Sequence, residues 1–235
     1  MNRTEELDKL FVQWNQKRMD SVNFETYNDI FIKDGIVDYD IFKKQDIKVL
    51  FISNEANIGT DFNSKDSDIR YDFKVYNKRQ KDEYAGKIRE RVCCLYQVVI
   101  NDFSNKDAPY RVAKNFAFMN LNKTGGGSTI NDRISTFCDE FKDEIKKEID
   151  IICPDIIIWL GCNTFDNDKI RVAVGIEKHK GQYYYNNTPV IRMWHTSYYQ
   201  SKREELGIFN NKITDKLSKK LYDELFNIGW YKFEK

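Results

Sequence analysis

Cysteine is scarce and irregularly placed in this chain: Cys93, Cys94, Cys138, Cys153 and Cys162, an odd number with no C-x-x-C spacing. That excludes a disulfide framework and the usual spacing of zinc and iron–sulfur sites, and predicts reduced thiols of a cytoplasmic protein. Histidine is scarcer still, with His179 and His195 alone. Neither a metal nor another cofactor is therefore expected. Proline occurs at Pro109, Pro154 and Pro189 only, and there is no repeat or low-complexity linker. One domain over residues 1–235 is the economical expectation. No apolar run approaches the roughly 20 residues that cross a bilayer, so no membrane partner is expected. Met1 leads into Asn2, Arg3, Thr4, Glu5 and Glu6 rather than an apolar signal core, which again points to the cytoplasm. Charge of one sign is also lacking. Lys plus Arg number 38 against 37 Asp plus Glu, which excludes a histone-like or polyanionic chain but permits a local basic face.

What is present is an alternation of helical and strand-length patterns. Thr4 is positioned to cap a first helix carrying Leu7, Leu10, Phe11 and Trp14 on one face. Residues 84–100 repeat the pattern through Ile88, Val92, Leu95 and Val99, and residues 135–152 through Phe141, Ile145 and Ile149, with Pro154 as the stop. A last helix over 211–228 carries Ile213, Leu217, Leu221 and Leu225, with Gly229 as its C-terminal cap. Between them lie four apolar runs: Ile47–Ser53, Asn115–Asn120, Asp155–Leu160 and Pro189–Trp194. Three are apolar on both faces, as parallel strands covered on both sides must be. The expected fold is α/β, a three-layer α/β/α sandwich around a mainly parallel four-stranded sheet.

In such sheets ligands bind beyond the carboxyl ends of the strands. The first run is followed by Asn54-Glu55-Ala56-Asn57-Ile58-Gly59-Thr60-Asp61, and the second ends in Asn120 and leads to Lys123-Thr124-Gly125-Gly126-Gly127-Ser128. The third is followed by Gly161-Cys162-Asn163-Thr164 and the fourth by His195-Thr196-Ser197-Tyr198-Tyr199. A strand-terminal His is often structural, and a strand-terminal Asn or Glu often caps the next helix. Carboxylate, amides, glycine-rich backbone and histidine converging on one edge favour a site.

This ordered set resembles the uracil-DNA glycosylase superfamily over roughly residues 47–200. Its first motif reads G-E-A-P-G, G-Q-D-P-Y or G-I-N-P-G, its middle strand ends in a base-reading Asn, and P-x-I-I-x-x-G and H-P-S follow. Here these become Asn54-Glu55-Ala56-Asn57, Met119-Asn120, Pro154–Gly161 and His195-Thr196-Ser197. The resemblance implies a monofunctional DNA glycosylase that flips and excises a pyrimidine. Asn120 would read the base, with Ile58, Gly59 and Asn54 around it. His195 would stabilise the departing anion, and Glu55, Asn57 and Asp61 would serve the attacking water and the sugar cation. Preorganised donors and positioned carboxylates suit those two developing charges. DNA is the implied partner of a monomer, contacted by Tyr199 as a wedge and by Ser197, Lys123, Gly125, Gly126 and Ser128.

Departures from the pattern shape the expected substrate. The first-motif Gly and Pro are Asn54 and Asn57, the water-activating Asp of one branch is Ala56, and the H-P-S proline is Thr196. Ile58 and Gly59 stand where the uracil-specific branch has a Tyr that blocks the pyrimidine 5-position. The smaller guard leaves room for a 5-substituent, with Asn54, Asn57, Asn122 and Asn163 as partners for its polar groups. Branches acting on phage-modified cytosines are thus a natural home, and defence against phage DNA a natural role. The cysteines that hold a cluster in the branch nearest in its first motif are missing, so no cluster is expected. Residues 70–91 carry eight Lys or Arg and four Asp or Glu, interleaved with Tyr71, Phe73, Tyr76 and Tyr84. That pattern serves a phosphate-tracking surface or a solvated helix approach equally. Gly125–Gly127 lacks the G-K-[ST] ending of a P-loop and serves either as an anion nest or as a turn. Two other classes remain: a non-catalytic binding module on the same fold, and a hydrolase of free nucleotides or nucleosides.

Overall fold

A computed structural model describes residues 2–24, 30–55, 66–76, 84–105, 108–124, 131–195, 208–209, 212–213 and 216–230. The chain opens with α1 (Arg3–Met19), then β1 (Phe31–Lys33), β2 (Gly35–Ile36), α2 (Tyr39–Phe42) and β3 (Val49–Glu55). Next come β4 (Asp66–Asp68), α3 (Ile69–Val75), α4 (Tyr84–Val99), a 3-10 turn at Pro109–Val112 and β5 (Ala117–Asn122). Helices α5 (Asn131–Glu140) and α6 (Lys142–Ile152) lead to β6 (Ile156–Leu160), α7 (Cys162–Phe165) and α8 (Asp168–Val174). Strands β7 (Ile176–His179), β8 (Gln182–Tyr185) and β9 (Thr188–Met193) follow, then β10 (Ile208–Phe209), β11 (Lys212–Ile213) and α9 (Lys216–Asn227).

The expected α/β class holds, but the central sheet has seven strands, not four, in the order β2-β5-β3-β6-β9-β8-β7. The four expected runs form its parallel centre, β5-β3-β6-β9. Every residue of β5 and β6 is buried, so both faces of these strands need a helical cover. On one face Leu50, Ile52, Ala117, Met119, Ile157 and Trp159 pack under α1, α5, α6 and α8. On the other, Phe51, Phe116, Phe118, Ile158, Ile191 and Met193 pack under α4 and α9. The additional strands are antiparallel additions at the two edges, β2 beside β5 and the β7–β8 hairpin beside β9. Their exposed polar residues, such as Glu177, Lys178 and His179, conceal the strand signal.

Local chemistry adjusts other boundaries. Asn2, not Thr4, caps α1: its side chain accepts from the Glu5 N–H while the Glu5 carboxylate accepts from the Asn2 N–H, a capping box. The helix expected over 135–152 is two helices meeting at Phe141. Strands β3 and β5 each run two residues further than the apolar runs, so Asn120 lies within β5 rather than at its end. Gly229 does end the last helix, with φ +72° and the Trp230 N–H closing onto the Leu225 carbonyl at 2.9 Å.

Candidate functional site

The parallel register brings two of the expected residues onto one face at the carboxyl edge. Ser53 of β3 is paired across the ladder with Asn120 of β5 and with Leu160 of β6. Alternation along β3 and β5 puts Ser53 on the face of Phe51 and Asn120 on that of Phe118, the face covered by α4 and α9. Two residues beyond Met193, His195 leans over β6 so that its Nε2 lies 3.3 Å from Ser53 Oγ. The direction of that hydrogen bond follows the imidazole tautomer. Burial pushes the His195 pKa below its ordinary 6.5, so the ring is neutral at pH 7. Ser53 was not among the expected site residues. Its signal was a polar residue ending an apolar run just before the first loop.

The opposite face of the same edge is built around Asn54. Its Oδ1 accepts from the Thr164 hydroxyl at 2.5 Å; that hydroxyl also lies 2.9 Å from the Gly161 carbonyl and accepts from the Trp159 indole at 3.2 Å. A Cβ at residue 161 would overlap Asn54 Oδ1 and press on Thr164 Oγ1. Gly161 is thus required by the close approach of the first and third loops. Asn54 and Thr164 are a structural pair, which leaves less of Asn54 for a bound base. Asn122 is likewise occupied, accepting from the Thr124 N–H at 2.9 Å and the Thr124 hydroxyl at 2.7 Å. Asn163 is exposed on α7. Burial pushes the Cys162 thiol pKa up, which disfavours its thiolate.

Lys123 corrects an expectation. Placed at a DNA phosphate by its position in the glycine-rich loop, it is fully buried instead, its ammonium paired with Asp34 and 2.7 Å from Glu148 Oε2. Its Nζ also stands 5.3 Å from the Trp14 ring and 5.5 Å from that of Phe11. Burial pushes Glu148 well above the usual carboxylate range, and the neighbouring Asp34 adds to the rise. Two carboxyl groups thus share the single buried amine of Lys123. Asp34 turns its second oxygen to β5, where Oδ2 accepts from the Asn120 backbone N–H at 2.6 Å and lies 3.4 Å from Asn120 Nδ2. In sequence Lys33-Asp34-Gly35 looks like a turn, and nothing local marks Asp34 as a neighbour of Asn120.

Glu55 closes β3 opposite Asn122. Asn57, Ile58, Gly59, Asp61, Gly125, Gly126, Ser128, Ser197 and Tyr199 lie outside the described residues. Part of the basic 70–91 segment is spent inside the protein. Arg70 is buried against Asp8 and Asp68, Arg89 pairs with Asp72 at 3.1 Å, and Phe73 and Tyr76 belong to the core while Tyr71 is exposed. Among the described residues no three His, Cys, Asp or Glu side chains come together as a metal site. No described helix is long and apolar enough to cross a membrane.

A cavity of about 460 Å³ lies at the opposite, amino-terminal edge of the sheet, lined by Ile47, Val99, Tyr184, Pro189, Ile228 and Trp230 among others. Its polar groups are turned on each other: the Trp230 indole donates to the Val99 carbonyl at 2.9 Å and the Tyr184 hydroxyl to Gln182 at 2.6 Å. With those polar groups already engaged and most of the described lining apolar, it is a poorer candidate than the carboxyl edge despite its volume. Compared with models of known protein families and with curated proteins, the chain matches none.

Proposed function

We propose that this chain is a monofunctional DNA glycosylase. Acting as a cytoplasmic monomer, it flips a pyrimidine out of DNA and hydrolyses its N-glycosidic bond. The substrate is a 5-modified cytosine, such as glucosylated hydroxymethylcytosine, or uracil, and the role is defence against phage DNA carrying such bases. The supporting observation is the neutral His195, held 3.3 Å from Ser53 on the strand face that also carries Asn120. A neutral imidazole donates a hydrogen bond to a carbonyl oxygen as negative charge gathers on it, which a preorganised donor does without reorganisation. Asn120 supplies both a donor and an acceptor to a pyrimidine edge. As the C1′–N bond breaks, the bonding pair leaves with the base. Water adds its oxygen to C1′ and its proton passes to Glu55, with Asn57 and Asp61 in the same loop. A proton then restores the neutral free base.

The test is to incubate the protein with DNAs carrying uracil, hydroxymethylcytosine or glucosylated hydroxymethylcytosine, single- and double-stranded. Released base and alkali-labile abasic sites are then measured. Release from at least one, lost in folded His195→Ala and Asn120→Ala variants, is the expected result. Turnover unchanged in either folded variant removes that residue from the mechanism. No release from any substrate by wild-type protein sinks the reading and favours a binding module.

A further inference from the structure

An asparagine side chain reads a pyrimidine in two opposite ways. With its oxygen toward ring N3 it accepts from the N3–H of a uracil-type base while its N–H donates to O4. Turned over, it donates to N3 of a cytosine-type base and accepts from the 4-amino group. An unrestrained amide takes both orientations. Asn120 is restrained: Asp34 Oδ2 lies 3.4 Å from its Nδ2 and is anchored to the same residue by the 2.6 Å bond from its backbone N–H. A carboxylate oxygen repels an amide oxygen, so the nitrogen must be the end facing Asp34. The Lys123 ammonium pairs with the same carboxylate, and Asp34, Lys123 and Glu148 are all fully buried. With one N–H committed to Asp34, Asn120 can present only its oxygen and its second N–H, in one fixed order.

We propose that Asp34 is a positioning residue that fixes the Asn120 amide in one orientation, so that the site accepts uracil-type or cytosine-type pyrimidines but not both. The proposal rests on the glycosylase reading above and concerns its specificity. A single Asp34→Asn change would leave the Lys123 charge buried without its partner, so the informative variant is Asp34→Asn/Lys123→Met. Two measurements apply: kcat/KM for base release from uracil-type and cytosine-type DNA, and hydrogen exchange of the Asn120 side-chain NH2 by 15N NMR. In wild type one pyrimidine type should be preferred by roughly 10- to 100-fold, the discrimination of a bidentate pair. In the double variant that ratio should fall toward one and the Asn120 NH2 should exchange faster. A folded, active double variant with the wild-type ratio overturns the proposal and leaves the glycosylase intact. Wild-type protein that releases both types equally overturns it without any variant. Wild-type protein that releases neither removes the glycosylase reading and the specificity built on it, whatever the NH2 exchange shows.

Discussion

Replacing Lys123 with methionine separates the structural account of this residue from a role in DNA contact. The ammonium is fully buried between Asp34 and Glu148, and the new side chain has a similar length and no charge. In the native cluster the Lys123 amine is shared by Asp34 and Glu148, and burial raises the Glu148 pKa well above 4.5, which favours its protonated form. Removing the ammonium leaves the Asp34 carboxylate without its counter-ion in the core. Breaking a buried pair in this way costs about 3–5 kcal/mol. For a chain of this size that lowers Tm by roughly 6–20 °C. Glu148→Gln is isosteric with the protonated acid, so it should stay within about 1 kcal/mol of wild type near pH 4, where the carboxyl carries its proton in the folded and the unfolded chain alike. The sign with pH follows from linkage. A carboxyl whose folded pKa is raised binds its proton more tightly than the unfolded chain does. Its contribution is full below pH 4.5 and is lost as pH rises toward the folded value. Glu148→Gln should therefore gain on wild type as pH is raised from 4 to 7. Urea melts of the three proteins across that range decide the matter. If Lys123→Met melts with wild type while losing about one unit of salt slope in DNA binding, Lys123 is a phosphate contact and its burial is misassigned.

Three further outcomes are expected. Acidification should destabilise wild type through His195, whose folded pKa lies below 6.5: the unfolded chain takes up its proton first, so stability falls as pH drops below that value. His195→Gln should show a flatter stability profile between pH 7 and 5, and identical profiles would refute the lowered pKa of this half-buried imidazole. Gly161→Ala should cost about 1–3 kcal/mol because the added Cβ meets Asn54 Oδ1. Asn54→Ala should recover part of that loss in a double-mutant cycle, and simple additivity would show that the two loops do not collide there. On the proposed glycosylase reading, in which Gly59 guards the pyrimidine 5-position, Gly59→Tyr should suppress release of bulky 5-substituted pyrimidines while sparing uracil. Equal loss on both substrates would count against the enlarged pocket.

The four parallel strands at the centre of the sheet were legible in the sequence because a strand buried on both faces has no alternative to a continuous apolar run. Val49–Ile52 and Ile156–Leu160 carry that pattern in the primary structure. Helices α1, α4 and α9 were legible for a similar reason: an apolar stripe at helical period records which side faces a core. Asn120 and His195 stood out in the sequence as polar residues closing apolar runs, although β5 continues two residues past Asn120. The edge strands were not, since β7 has three exposed residues of four and owes its place to pairing with β8 rather than to its own composition. Nor could the sequence set the surroundings of Lys123, which looked solvent-facing beside three glycines. Its burial is decided by Asp34, 89 residues upstream, and by Glu148 of α6, 25 residues downstream in the chain. The same holds for Ser53, an unremarked serine until the ladder sets it opposite Asn120 and the chain leaving β9 brings His195 within 3.3 Å of it. Periodicity is a local property, written residue by residue along the chain. The partner of a buried charge and the orientation of a site amide arise only when distant segments close on one another, and only the folded sheet supplies that register.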